Sequence, residues 1–185
     1  FIDSTKGWLV TDSGLQSEVP TAQYIAATGG TETIVCTNFK VHTFTGPGTF
    51  CVSAVGNPAG SATVDYLVIG GGGGAGGSGA ISGGGGYGSG GGGAGGYRES
   101  GGTASGCYTV STAGSSPSPV AALPVAVQGY PITVGAGQPG GPTPAPSYPE
   151  QTGTSGVPSV FSTITSAGGG GGAGAQQPAL AGGSG

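Results

Sequence analysis

The chain has 185 residues, of which 47 are Gly and 14 are Pro, and only 5% are Asp, Glu, Lys or Arg, for a formal net charge of −4. Gly and Pro make up about a third of it, where an ordinary domain has roughly 12%, and its charge content is far below the usual ~25%. The basic residues are Lys6, Lys40 and Arg98, too few and too scattered to grip a phosphate backbone, so nucleic acid is excluded as an expected partner.

Glycine bias alone argues for low complexity. Disordered chains, however, stay open through high net charge and low hydrophobicity. Here charge is scarce and mean hydropathy is slightly positive. Such a chain collapses or associates, and order achieved by packing backbone on backbone fits it best. No run of about 18 apolar residues occurs, so no membrane span is expected. No signal peptide is visible, and the start at Phe1 and stop at Gly185 read as truncation at both ends.

Residues 1–30 read as strand ends and a linker, with apolar runs at Phe1-Ile2, Trp8-Leu9-Val10 and Tyr24-Ile25-Ala26. Residues 31–69 read as an antiparallel β-meander. Its first strand is expected over Thr33 to Phe44, rich in β-formers. Gly46-Pro47-Gly48 is a turn, and Phe50, Val52 and Ala54 alternate on one face of a second strand. Asn57-Pro58-Ala59-Gly60 is the next turn, and Thr63 to Ile69 the third strand. This register sets Cys36 and Cys51 about 20 Å apart at ~3.3 Å per residue, too far for a bridge that needs Cα atoms within roughly 7 Å. Cys36, Cys51 and Cys107 are expected as buried free thiols.

Residues 70–185 form the glycine-rich region. One run is Gly70, Gly71, Gly72, Gly73 and Gly74. A second is Gly83, Gly84, Gly85 and Gly86, followed by Gly90, Gly91, Gly92 and Gly93. A later one is Gly168, Gly169, Gly170, Gly171 and Gly172, and a fourth begins at Gly182. Between them, residues 97–167 hold Pro-rich turns and β-like pieces at Val125 to Val127, Pro131 to Val134 and Ser159 to Ile164.

Glycine loses more entropy on ordering than any other residue and brings no side chain to bury. Such runs stay ordered only if their backbones bond to something. The extended left-handed helix of three residues per turn has no internal hydrogen bonds, so its donors and acceptors point outward. A helix of this type surrounded on all sides needs Gly nearly everywhere, unlike collagen with Gly at every third position. Ala75, Ser78 and Ile81 fall three apart and would share an outer row, as would Ala94 and Tyr97. The expected fold is therefore all-β with polyglycine II-type helices: a short meander followed by packed extended helices and loops.

The series "TVDYLVIGGGGGAGG" from Thr63, "YPITVGAG" at Tyr130 to Gly137 and "SVFSTITSAGGGGGAG" at Ser159 to Gly174 resembles the glycine-rich domain of tailed-phage fibre and tail-associated proteins, including those of cyanophages. "FKVHTFTGPGTFCV" at Phe39 to Val52 looks like the β-hairpin that precedes that domain. The resemblance covers about residues 39–185. It implies a non-enzymatic, extracellular virion protein, homo-oligomeric with a trimer favoured, that contacts other virion proteins and a host-surface glycan or outer-membrane receptor. In architecture the chain is also similar to fibre-tip adhesins of T-even-like phages, which stack polyglycine helices and bind hosts through the loops between them. By that analogy residues 97–157 supply the loops. Tyr108, Tyr130 and Tyr148 are the receptor-contact candidates, since tyrosine stacks on sugars at little entropic cost. Tyr97-Arg98-Glu99, at a run end, is read as structural.

Other motifs are expected to carry no chemistry. Gly72-x-Gly74-x-x-Gly77 satisfies the dinucleotide fingerprint, but the motif needs a following helix to hold the pyrophosphate, and Ser78 to Gly83 continues into more glycine. His42 has no nucleophile and orienting acid in a recognisable pattern. The cysteines and His42 lack zinc-ligand spacing. No catalytic residue, cofactor or metal is expected. The competing classes are an extracellular or cell-surface glycine-rich filament subunit and an ice- or carbohydrate-binding protein.

Overall fold

The computed structural model describes residues 21–37, 39–78, 88–101, 121–142, 152–174 and 177–183. The described residues are all-β: no helix occurs among them, every paired strand is antiparallel, and no helix there is long and apolar enough to cross a membrane.

The main sheet has five strands in the order β1 (Ala26–Thr28), β4 (Gly48–Ala54), β9 (Gly129–Thr133), β10 (Ser159–Phe161) and β11 (Ile164–Ser166). It joins strands from both sides of the Ile69/Gly70 step. Period-two alternation decides what each strand buries. Along β4, Phe50 and Val52 point inward while Thr49, Cys51 and Ser53 face out. Ala27, Val125 and Tyr130 complete the buried core, with Ile25, Phe44, Val64, Leu123, Ile132 and Phe161 packed around it. The Phe50 ring lies 6.0 Å from Phe161 and 6.5 Å from Tyr130, and Tyr130 lies 6.2 Å from Phe161. These tilted and edge-on pairs add to the area they bury.

The single strand expected over Thr33–Phe44 is instead a hairpin, β2 (Thr31–Val35) with β3 (Phe39–Thr43). Cys36 and Thr37 take left-handed φ of 50° and 62° to make its turn. The chain enters it through Gly29 and Gly30, at φ 112° and 65°, where a Cβ on Gly30 would sit 2.7 Å from the Thr43 carbonyl oxygen. The hairpin is an excursion between β1 and β4, which pair with each other, Thr28 opposite Cys51. It therefore does not pair with β4 across Gly46-Pro47-Gly48, as the meander would require. At its base His42 donates from Nδ1 to the Gly29 carbonyl at 2.8 Å and meets the Phe50 ring edge-on at 5.1 Å.

The thiol state also differs from expectation. Cys36 is disulfide-bonded, and Cys51 is a free but exposed thiol, so the two are not joined to each other. Cys107 lies outside the described residues.

The third expected strand is broken by Asp65-Tyr66 into β5 (Thr63–Val64), paired with β8 (Leu123–Pro124), and β6 (Leu67–Ile69), paired with β7 (Tyr97–Glu99). The Asn57–Gly60 turn is present, closed by Gly60 N–H donating to the Asn57 carbonyl at 2.8 Å. Ser159 to Ile164 folds as the β10–β11 hairpin, with Ser162 at φ 54° in the turn.

Several strands run straight into glycine segments. β6 leads into residues 70–76, residues 90–96 into β7, β9 into 135–141, residues 153–157 into β10, and β11 into 167–174. A further segment, 180–183, lies beside the last of these.

Candidate functional site

The glycine segments bond to one another with a period of three. Gly70, Gly73 and Gly76 N–H donate to Gly96, Gly93 and Gly90 carbonyls, each at 2.9 Å. In turn Gly90, Gly93 and Gly96 N–H donate to Ala173, Gly170 and Ala167 at 2.7–2.8 Å. Gly71 and Gly74 donate to Val157 and Thr154, and accept from Gly169 and Gly172. Gly72 and Ala75 carbonyls accept from Gln138 and Gly141. Residues 70–76 are thus bonded to four neighbours: 90–96, 135–141, 153–157 and 167–174. Segment 167–174 likewise bonds to four, the last being 180–183 through Leu180 and Gly183 N–H. The bonds order these segments into two offset rows, 90–96, 70–76, 135–141 over 180–183, 167–174, 153–157.

Approach this close leaves no room for side chains. A Cβ at Gly73 would overlap the Gly170 carbonyl, one at Gly92 the Gly73 carbonyl, and one at Gly171 the Gly153 carbonyl. Where a segment faces out the constraint lapses. Nothing lies within 4 Å of a Cβ placed on Gly88 or Gly91; of the rows expected to face outward, Ala75 and Ala94 are exposed while Ser78 and Tyr97 are half-buried. Gly83, Gly84, Gly85 and Gly86 lie outside the described residues, as does Ile81.

Two of the segments were not singled out from sequence, 135–141 and 153–157, whereas 180–183 includes the start of the run expected from Gly182. A signal was present. Gly153 and Gly156 fall three apart, and their Cβ positions would overlap the carbonyls of Gly74 and Gly71, also three apart. The Pro, Gln and Thr residues between such glycines hid the pattern.

A polar knot sits where the sheet meets these segments. Ser100, fully buried, donates to Asp65 Oδ1 at 2.8 Å and accepts from Tyr66 N–H at 3.0 Å. Its own N–H donates to the Tyr66 carbonyl at 3.0 Å. Beside it Tyr97 donates to Glu99 Oε2 at 2.9 Å. These bonds align the start of β6 with the end of β7, and so set the entry and exit of segments 70–76 and 90–96. Ser166, just before segment 167–174, is also fully buried, but its hydroxyl has no hydrogen-bond partner among the described residues.

Of the tyrosines proposed for receptor contact, Tyr108 and Tyr148 lie outside the described residues. Tyr130 is only 7% exposed. Strand parity turns it into the core, where its hydroxyl accepts from Ala126 N–H at 2.7 Å. It is a core residue and not a contact candidate. Among the described residues no group of His, Cys, Asp and Glu is arranged to hold a metal ion.

Comparison with family models, curated proteins and solved structures finds no match to this chain.

Proposed function

We propose that this chain is a structural protein of a tailed-phage virion, a tail fibre or tail-associated adhesin, whose glycine segments are polyglycine II helices bundled into a stiff module. The observation that carries the proposal is the bonding period of three. In a β-ladder, bonds to one neighbour recur every second residue. A three-residue turn with outward donors and acceptors gives bonds to each neighbour at every third, as at Gly70, Gly73 and Gly76. Among the described residues only Gly29 and Gly30 are glycines with positive φ, so the segments share the φ sign of the left-handed form.

A bundle of this kind suits a fibre. It is held by backbone bonds in many directions, needs few charges, and continues strands of the sheet without a hinge residue between them. The resemblance to phage fibre proteins supplies the setting: a homotrimer, outside the cell, joined to other virion proteins and presenting a host-contact module to a surface glycan or outer-membrane receptor. Gold-tagged antibody to the chain, applied to purified virions, tests it. Label on fibres or tail is expected. Label on free filaments with bare virions would contradict it and favour a filament subunit.

A further inference from the structure

A cleft of about 330 Å³ opens between the β6–β7 ribbon and the β10–β11 hairpin, lined by Tyr66, Arg98, Glu99, Thr163, Ile164 and Thr165. We infer that this cleft binds one carboxylate-bearing sugar residue, of the uronic acid type, through Arg98. The inference goes beyond the fibre reading, because it follows from the groups in the cleft wherever the chain is located.

Arg98 carries the argument. Among the described residues the cations of long side chains are Lys40 and Arg98. Lys40 is paired with Glu32 at 3.0 Å, whereas Arg98 has no carboxylate partner among the described residues, in a chain of net charge −4. A guanidinium presents a planar fork that matches a carboxylate with two parallel bonds. Its position is fixed from both sides, by the β6–β7 register that sets Arg98 opposite Val68 and by the Ser100 knot two residues on.

The other groups narrow the ligand. The Glu99 carboxylate is buried, 8% exposed, and is engaged by the Tyr97 hydroxyl on the face of β7 opposite Arg98, so it is not among the groups offered to the ligand. The Thr163 and Thr165 hydroxyls and the Tyr66 phenol make no side-chain hydrogen bond within the described structure, so they are available to a ligand as donors and acceptors. The Ile164 side chain and the Tyr66 ring supply apolar surface for the C–H face of a pyranose. One cation, three hydroxyls and a small apolar patch fit a ring bearing one acidic group and several hydroxyls. The volume lies at the lower end of the ~300–1,000 Å³ of small-molecule sites, enough for one sugar ring.

The test is an NMR titration of the full chain with sodium glucuronate, with glucose and with sodium sulfate. Glucuronate is expected to shift the signals of Arg98, Ile164 and Thr165, and to bind at least roughly ten-fold more tightly than glucose or sulfate, the weight of a charge-assisted bond. Arg98→Gln should weaken glucuronate by a similar factor while the remaining spectrum keeps its dispersion. Thr165→Val should weaken it less. Equal binding of glucose would overturn the role of Arg98. Sulfate binding as tightly as glucuronate would overturn the saccharide assignment. No shift at the cleft with any of the three would overturn the site.

Discussion

A Cβ added at Gly73 would run into the backbone carbonyl of Gly170, although the two residues are almost a hundred positions apart in the chain. Gly93 connects them: it accepts from Gly73 N–H at 2.9 Å and donates to Gly170 at 2.8 Å. Glycine is required at Gly73 by the neighbouring backbones and not by its own φ. Gly73→Ala is therefore expected to cost at least roughly 1–3 kcal/mol, the usual penalty for overpacking. Gly91→Ala, into open space, should be neutral or stabilise by about 0.4–1 kcal/mol through the unfolded chain. Urea unfolding of the two variants checks the contrast, and equal losses would count against the packing described.

The two fully buried serines should respond in opposite ways. Ser100→Ala removes a hydroxyl bonded to a carboxylate and leaves Tyr66 N–H unpaired, at a cost of about 1.5–3 kcal/mol. Ser166→Ala removes a hydroxyl that has no partner among the described residues and should be neutral or stabilising. Thermal unfolding of both decides, and a Ser166→Ala variant that melts well below the parent protein would show that this hydroxyl has a partner.

Tyr130 is expected to act in stability and not in recognition. Tyr130→Phe loses the bond from Ala126 N–H and should cost about 0.5–1.5 kcal/mol. Phe50→Ala, at the centre of the aromatic cluster, should cost about 3–5 kcal/mol. Host-cell adsorption by folded Tyr130→Phe protein should equal that of the parent, and a loss of adsorption without loss of stability would return Tyr130 to the surface.

The cysteines should separate by reactivity. Iodoacetamide without reductant should alkylate exposed Cys51 and leave Cys36 unmodified, as peptide mass spectrometry would read. After reduction Cys36 should react as well, and amide exchange in Thr31–Thr43 should rise because the hairpin turn has lost its tie. Alkylation of Cys36 before reduction would contradict the disulfide.

Much of this fold was legible where local chemistry decides it. Asn57-Pro58-Ala59-Gly60 forms its turn, β9 falls where Pro131 to Val134 suggested a strand, and Ala75 and Ala94 face outward. The hairpin at Cys36-Thr37 was hidden because non-glycine residues take its left-handed φ. The pairing of β4 with β9 depends on residues some eighty positions apart, which local propensity does not encode. Tyr130 was misplaced because an isolated tyrosine does not reveal its strand parity; that is set by Gly129 lying opposite Cys51. At the cleft, Arg98 and Glu99 stood out as a run-end motif, but Thr163 and Thr165 join them only through the fold.

The central claim is the three-residue bonding period, and site-resolved amide hydrogen exchange tests it most directly. Gly70, Gly71, Gly73, Gly74 and Gly76 should be protected, with Gly72 and Ala75 exchanging faster. In the return segment Gly90, Gly93 and Gly96 should be protected, with Gly91 and Gly92 fast. Uniformly rapid exchange through these residues, or protection at every second residue as in a β-ladder, would contradict the account.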